Sequence, residues 1–268
     1  MSLQRKMSQV NHILLKATNM TAFVLTIIVN GLAGSTTLIG GKTTADISNL
    51  YPTLITPAGY VFAIYGVIYI LLGVFVVYQA LPREKGKEYQ SKIGGLFVLS
   101  SLLNVTWLFF WQNEILSLSV VVMFLLLVSL IAIYLRLNIG KSTASLREKL
   151  AIHLPFSVYL GWITIASTAN VAALLVSIGW DGFRISLETR SVLIIIVPLL
   201  ITLTVITIRK DIAFALVIVW ALLGIMANQN DNPNIVITIE VSVFIEVVAL
   251  AAVIILNRLK RKSQQYSQ

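Results

Sequence analysis

GYVFAIYGVIYILLGVFVVYQAL, residues Gly59 to Leu81, contains no charged side chain, and PREKGKEYQSK, Pro82 to Lys92, follows it at once with four cations. At 1.5 Å per residue an apolar helix of that length crosses the ~30 Å hydrocarbon layer of a bilayer. A basic loop directly after it is what stays on the cytoplasmic side. The pattern recurs along the chain. Further apolar runs occupy Ala17–Gly34, Gly94–Trp111, Leu116–Leu135, Leu154–Ile178, Ser191–Ile208, Ile212–Ala227 and Ile235–Leu256. The reading is an all-α, polytopic membrane bundle of about eight transmembrane helices. The seventh run is short for the bilayer core, which leaves a partly re-entrant course open for it.

Composition agrees with this class. Apolar residues make up 57% of the 268 and charged residues 12%, about half the charge of an ordinary soluble domain. The formal net charge is +9. The cations sit in short caps between apolar runs and not in a stripe with interleaved aromatics, so a nucleic-acid partner is not expected. No cysteine is present, which excludes disulfides, thiolate metal sites and cysteine nucleophiles. His12 and His153 stand far apart and do not suggest a metal site. Nor is there a nucleophile elbow, a P-loop, a zinc motif or a mid-span lysine for retinal.

Orientation follows from the loops. Seventeen of the 20 Lys and Arg fall before the first run, in the second-to-third, fourth-to-fifth and sixth-to-seventh connections, or after the eighth run. Lys42, Arg184 and Arg190 alone lie in the alternate loops. Both termini are therefore expected in the cytoplasm, with the chain a multi-pass protein of the cell membrane. The first run is too long for a signal-peptide core and reads as a retained helix. Ser35 to Ala58 shows no helical period and has the length of a functional lid. Ser142 to Ile152 (STASLREKLAI) is basic and amphipathic, and reads either as an interfacial segment on the inner leaflet or as a solvated connector.

Polar side chains inside a bilayer are costly unless partnered or wetted. Asn30, Asn104, Thr106, Ser167, Thr168 and Asn170 fall in this class, either as interhelical hydrogen-bonding groups or as ligand contacts. Glu240 and Glu246 lie in the eighth run. Six residues apart, they point about 240° from each other and share no face. Glu246 near mid-span needs a partner or a proton, so both acids are candidates for proton or ion handling. Aromatics gather in the second, third and fifth runs. Tyr65 and Tyr69, four residues apart, face one way, and with Trp162 they either wall a flat apolar pocket or pack as core. Trp111 and Trp180, at run ends, read as interfacial-belt residues.

Three stretches resemble the tryptophan-rich sensory protein/translocator protein (TspO/MBR) family: ITPAGYVFAIYGVIYILLGVFVVY (Ile55–Tyr78), LLNVTWLFF (Leu102–Phe110) and YLGWITIASTAN (Tyr159–Asn170). They lie in the family's order and follow a long first loop. Tyr60 and Tyr65 stand where the family usually has tryptophans, and the fifth-helix proline is displaced to Pro155. The resemblance implies a five-helix membrane domain at residues 1–180, with three further helices and a basic tail at 181–268. It implies a lid-capped pocket whose matching positions are Tyr60, Tyr65, Asn104, Trp107, Tyr159, Trp162, Ala166 and Asn170, with Tyr69 beside them. The implied ligand is a hydrophobic or amphipathic small molecule, a porphyrin/tetrapyrrole or a sterol-like compound, with no bound cofactor otherwise and with homodimers common. Sensor or carrier is the first expectation. Alternatives are a transporter or permease subunit, proton-coupled through Glu246, and light-dependent porphyrin degradation using Trp107 or Trp162.

Overall fold

The computed structural model describes residues 3–84 and 87–266. Helix α1 runs over Leu3–Ser35, α2 over Thr44–Leu50 and α3 over Ile64–Ala80, which is entered through a 3-10 turn at Gly59–Ala63. Then follow α4 (Glu88–Ile93), α5 (Leu96–Gln112), α6 (Leu116–Arg136), the one-turn α7 (Leu146–Glu148), α8 (Leu154–Ser177), α9 (Leu187–Arg209), α10 (Ile212–Asn228) and α11 (Pro233–Tyr266). No strand occurs among the described residues. Among the described residues, six helical stretches are long and apolar enough to cross a membrane, and α5 and α10, at 17 residues each, fall just short. The chain is a multi-pass helical membrane protein.

The termini of these helices follow from local chemistry. Pro82 ends α3 at Ala80 by holding Leu81, the residue before it, out of the helical region. The turn between α9 and α10 is two residues long. Lys210 takes a left-handed conformation at φ 57°, and Asp211 caps α10 by accepting from Phe214 N at 3.2 Å. That hydrogen bond satisfies one of the free N–H groups at the helix start. α10 continues without a break to Asn228, so a re-entrant course is not what the seventh run adopts.

Two further expectations are corrected. The first loop is not irregular throughout. Thr43 and Asp46 form a capping box, with Asp46 N donating to Thr43 Oγ1 at 3.2 Å and Thr43 N donating to Asp46 Oδ2 at 2.9 Å, and this nucleates α2. Of the segment expected to lie on the inner leaflet or connect loosely, residues 142–145 are a non-helical connector and the remainder runs into the fifth spanning helix. α7 passes through a π-helical turn at Lys149–His153 into α8, giving a helical stretch from Leu146 to Ser177. Ala151, Ile152 and His153 are buried by it, while Leu146 and Leu150 stay exposed.

α8 is the centre of the bundle. It packs against α6, α10 and α3, and every residue from Pro155 to Ile165 is buried. A helix apolar on all sides belongs in such a position. α1 covers α5 and α3, and α11 covers α9 and α10. Polar pairs stitch α1 in place: Asn19 Nδ2 donates to Gln79 Oε1 at 2.9 Å and Asn30 Nδ2 to Asn104 Oδ1 at 2.6 Å. One continuous apolar core takes in Trp107 and Trp162 together with Phe214, Ile218, Leu222 and Ile239. The division near residue 180 thus falls between helices and not between cores.

The loops sort into two ends. At one, Arg209 Nη1 donates to Asn138 Oδ1 and Lys210 Nζ to Asn257 Oδ1, each at 2.8 Å. At the other, Lys42 pairs with Glu114, Asn228 Nδ2 donates to Thr56 O at 3.1 Å, and Asn234 Nδ2 donates to Glu188 Oε2 at 2.9 Å. The first is called the basic end and the second the lid end.

Candidate functional site

α5 and α8 meet at the lid end through tryptophans and small residues. On α8, Trp162, Ile165, Ala166, Ala169, Asn170 and Ala173 recur at intervals of three and four, one helical face. Their small members leave space along this face of α8. On α5, Trp107 and Trp111 are also four apart and stack on each other, with centroids 5.8 Å apart. The start of α3 adds Phe62 and Tyr65. Their rings are parallel, and Trp162 meets both edge-on, at 6.1 Å and 5.4 Å. Between these walls lies a narrow cleft of about 50 Å³, partly open to the outside.

The first loop roofs the cleft with Thr44, Ser48, Tyr51, Thr53, Thr56 and Pro57. This lid is fastened at both ends. At its start, Gln112 Nε2 donates to Ala33 O at 2.7 Å, and Trp111 Nε1 donates to Thr44 O at 3.2 Å. Gly40, at φ 68°, presses on Gln112, where a Cβ would stand 2.2 Å from the carbonyl oxygen, so only glycine fits. Glu114, in the α5–α6 turn, takes the Lys42 ammonium on one oxygen and the Tyr51 hydroxyl on the other, the latter at 2.8 Å. The Lys42 hydrogen bond and then that from Tyr51 hold the Glu114 carboxyl below its ordinary range, and the shared bond pushes the Tyr51 phenol up. At its far end, the lid is held by α10. Ala58 N donates to Gly224 O at 2.9 Å, and Trp220 Nε1 donates to Val61 O at 3.2 Å.

Hydrogen bonding inside the cleft is uneven. Asn170 is fully engaged: Trp107 Nε1 donates to its Oδ1 at 3.1 Å, and its Nδ2 donates to Ser119 Oγ at 2.9 Å. Trp162 Nε1 is buried beside the Tyr65 hydroxyl, but no partner among the described residues meets it in full hydrogen-bond geometry. A buried N–H left so is costly, by roughly 1–3 kcal/mol, and a group entering the cleft with an acceptor would satisfy it.

Of the nine residues singled out in the sequence, Tyr65, Trp107, Trp162, Ala166 and Asn170 line the cleft, and the other four do not. Tyr60 is 53% exposed and meets Trp220 of α10 edge-on at 5.5 Å, on the outside of the bundle. Tyr69 lies behind Tyr65, its ring stacked on it at 6.1 Å. Asn104 accepts from Asn30 in a helix-to-helix bond. Tyr159 is buried in the core. Trp111, expected in an interfacial belt, is 6% exposed and part of the cleft wall, and its spacing from Trp107 carries that signal. Trp180 is at the lid end under the Arg190 guanidinium, 5.5 Å from its ring. Glu240 is exposed, while Glu246 is fully buried between α9, α10 and α11, outside the cleft.

No curated protein and no solved structure matched the chain. A family model described as TSPO-like protein matches residues 16–256, a span that takes in the described helices α3 through α10 whole together with most of α1 and α11. With nine-tenths of its length so matched, this chain belongs to the family of TSPO-like proteins.

Proposed function

We propose that the cleft between α5 and α8 binds a flat hydrophobic or amphipathic small molecule of the porphyrin/tetrapyrrole or sterol-like class, and that the protein acts as a sensor or carrier for it. The observation that carries this reading is the Trp162 indole N–H, buried in an aromatic wall beside the Tyr65 hydroxyl and without a partner in full hydrogen-bond geometry among the described residues. Apolar clefts with a few convergent polar groups are the usual form of small-molecule sites. Ring faces of Trp107, Trp111 and Tyr65 give stacking surface, and Trp162 gives a donor for a carboxylate or carbonyl at the ligand's edge. The lining residues include no histidine, cysteine or methionine. A tetrapyrrole would therefore be held by its ring faces and edge groups, without a nitrogen or sulfur ligand to a central metal. Under the positive-inside rule the basic end faces the cytoplasm, which places the lid on the opposite side.

The test is tryptophan fluorescence on the purified protein with protoporphyrin added at micromolar concentration. Saturable quenching is expected. In W162F, which keeps a ring but removes the N–H, affinity is expected to fall roughly tenfold, equivalent to about 1.4 kcal/mol. Absence of saturable quenching in the wild type would defeat the reading.

A further inference from the structure

Glu246 of α11 is 0% exposed, and neither of its carboxyl oxygens has a hydrogen-bond partner among the described residues. α11 packs against α9 and α10. Neither Ser191 to Ile208 nor Ile212 to Asn228 contains an Asp, Glu, Lys, Arg, His or Tyr. On α11 itself, Glu240 is exposed and turned away, and Arg258 lies three turns further on. Among the described residues, no counter-ion faces this carboxyl from α9, α10 or α11. Across the interface stands Thr202 of α9, also fully buried, whose hydroxyl donates to Pro198 O at 2.7 Å. The hydroxyl can meet the carboxyl as acceptor or as donor, so it serves either protonation state, and no charged group stands beside it to favour the ionised one.

A second observation concerns access. Asn234, Thr238, Ser242 and Glu246 follow one another every fourth residue on α11. They pass from exposed through half-buried to buried, because a four-residue step winds about 40° round the helix. Asn234 at the lid end holds Glu188 Oε2 at 2.9 Å. The Thr238 and Ser242 hydroxyls donate to Asn234 O and Thr238 O at 2.6 Å and 2.7 Å, leaving their lone pairs free. Each step rises about 6 Å, the span that one bridging water covers with two hydrogen bonds. These hydroxyls are satisfied within their own helix, and the lone pairs they keep are where water can hydrogen-bond along it.

We propose that Glu246 is a proton-binding site, loaded and emptied from the lid end along the Asn234–Thr238–Ser242 stripe. The proton moves between the carboxyl oxygen and bridging water, so the O–H bond is made and broken with no other reactant. This assigns the helices beyond α8 a titrating centre separate from the cleft.

Infrared spectroscopy of the full chain in lipid nanodiscs tests it. The expected result is a carboxylic-acid carbonyl band that is lost in E246Q, disappears at high pH and shifts on transfer to D2O. In T238V and S242V the band is expected to remain while the D2O shift slows roughly tenfold, equivalent to about 1.4 kcal/mol on the barrier. E246D, which keeps the acid on a shorter stem, is expected to move the band and serves if E246Q does not fold. The proposal is overturned by absence of a Glu246-dependent band, or by a band indifferent to pH and D2O. Wild-type exchange in both stripe variants would also overturn it. So would a band abolished by Na⁺ at fixed pH, which would make the site one for a metal cation.

Discussion

Trp107 of α5 donates its indole N–H to Asn170 Oδ1 of α8 across 3.1 Å, and the same amide reaches Ser119 of α6 with its nitrogen. Three helices are thus joined by one buried side chain at the floor of the cleft. N170L is isosteric enough to pack but leaves the Trp107 N–H unpartnered and removes a partner of Ser119. The expected cost is about 1–3 kcal/mol, seen as a lower melting temperature in detergent, with porphyrin quenching weakened as the Trp107 ring loosens.

The lid latch gives a second expectation. Lys42 and Tyr51 both hold Glu114, and these side chains are more than a third exposed in the ion pair. Solvent screening limits such a contact to about 0–1 kcal/mol. E114Q should therefore raise amide hydrogen exchange across α2 by no more than about fivefold while the melting temperature hardly moves. The pH dependence has a definite sign. The carboxyl's native pKa lies below its ordinary 4.5, so the latch is whole above that pH and fails as pH falls through the lowered value. Amide protection in α2, corrected for the intrinsic pH dependence of exchange, should fall on that acid side in both proteins, because the capping carboxylate Asp46 is also held below its ordinary range and titrates there, and it should fall less in E114Q.

The spanning helices were readable because water-insoluble runs at bilayer length admit few other structures. The cleft was readable in part. Trp107, Trp162, Ala166 and Asn170 sit in regular α-helix, where spacing fixes the face. Tyr60 lies in the 3-10 turn Gly59–Ala63. Tyr60 was expected in the pocket from the resemblance alone; five residues before Tyr65, it stands about 140° round even a regular helix, and it faces Trp220 instead. Asn104 illustrates a different obstacle. Whether a membrane asparagine meets a ligand or another helix depends on what stands opposite, and only the packing of α1 puts Asn30 there. The π-helical turn before α8 left no mark in the apolar pattern. By contrast, the Thr43-to-Asp46 spacing carried the signature of α2 within a loop that otherwise reads as irregular.

Contact between α10 and the root of the lid supplies a third expectation. A Cβ built on Gly224 would stand 2.0 Å from Val61 Cγ2 and 3.2 Å from its Cβ. G224A should force the two apart, with an overpacking cost of about 1–3 kcal/mol. V61A deletes the clashing methyls and should recover part of that loss in the double variant, although V61A alone destabilises by opening a cavity. A thermal-unfolding double-mutant cycle reads the coupling directly. Simple additivity of the two costs would show that α10 does not brace this turn.

The small residues of α8 give the last expectation, because they separate a role in making space from a role in packing. Ala169 lines the cleft and is part-exposed to it, whereas Ala221 of α10 is fully buried in the core. Leucine adds three carbon atoms at either place. In A169L they enter free space, and burying apolar groups is favourable by about 0.8 kcal/mol per methylene, so the melting temperature should hold or rise. The same atoms would occupy the ground between Trp107 and Trp162, and porphyrin quenching should be lost. In A221L they have nowhere to go, and the protein should lose about 1–3 kcal/mol. Quenching that survives in a stable A169L would mean that the ligand binds elsewhere, since no porphyrin-sized ring can share the cleft with that side chain.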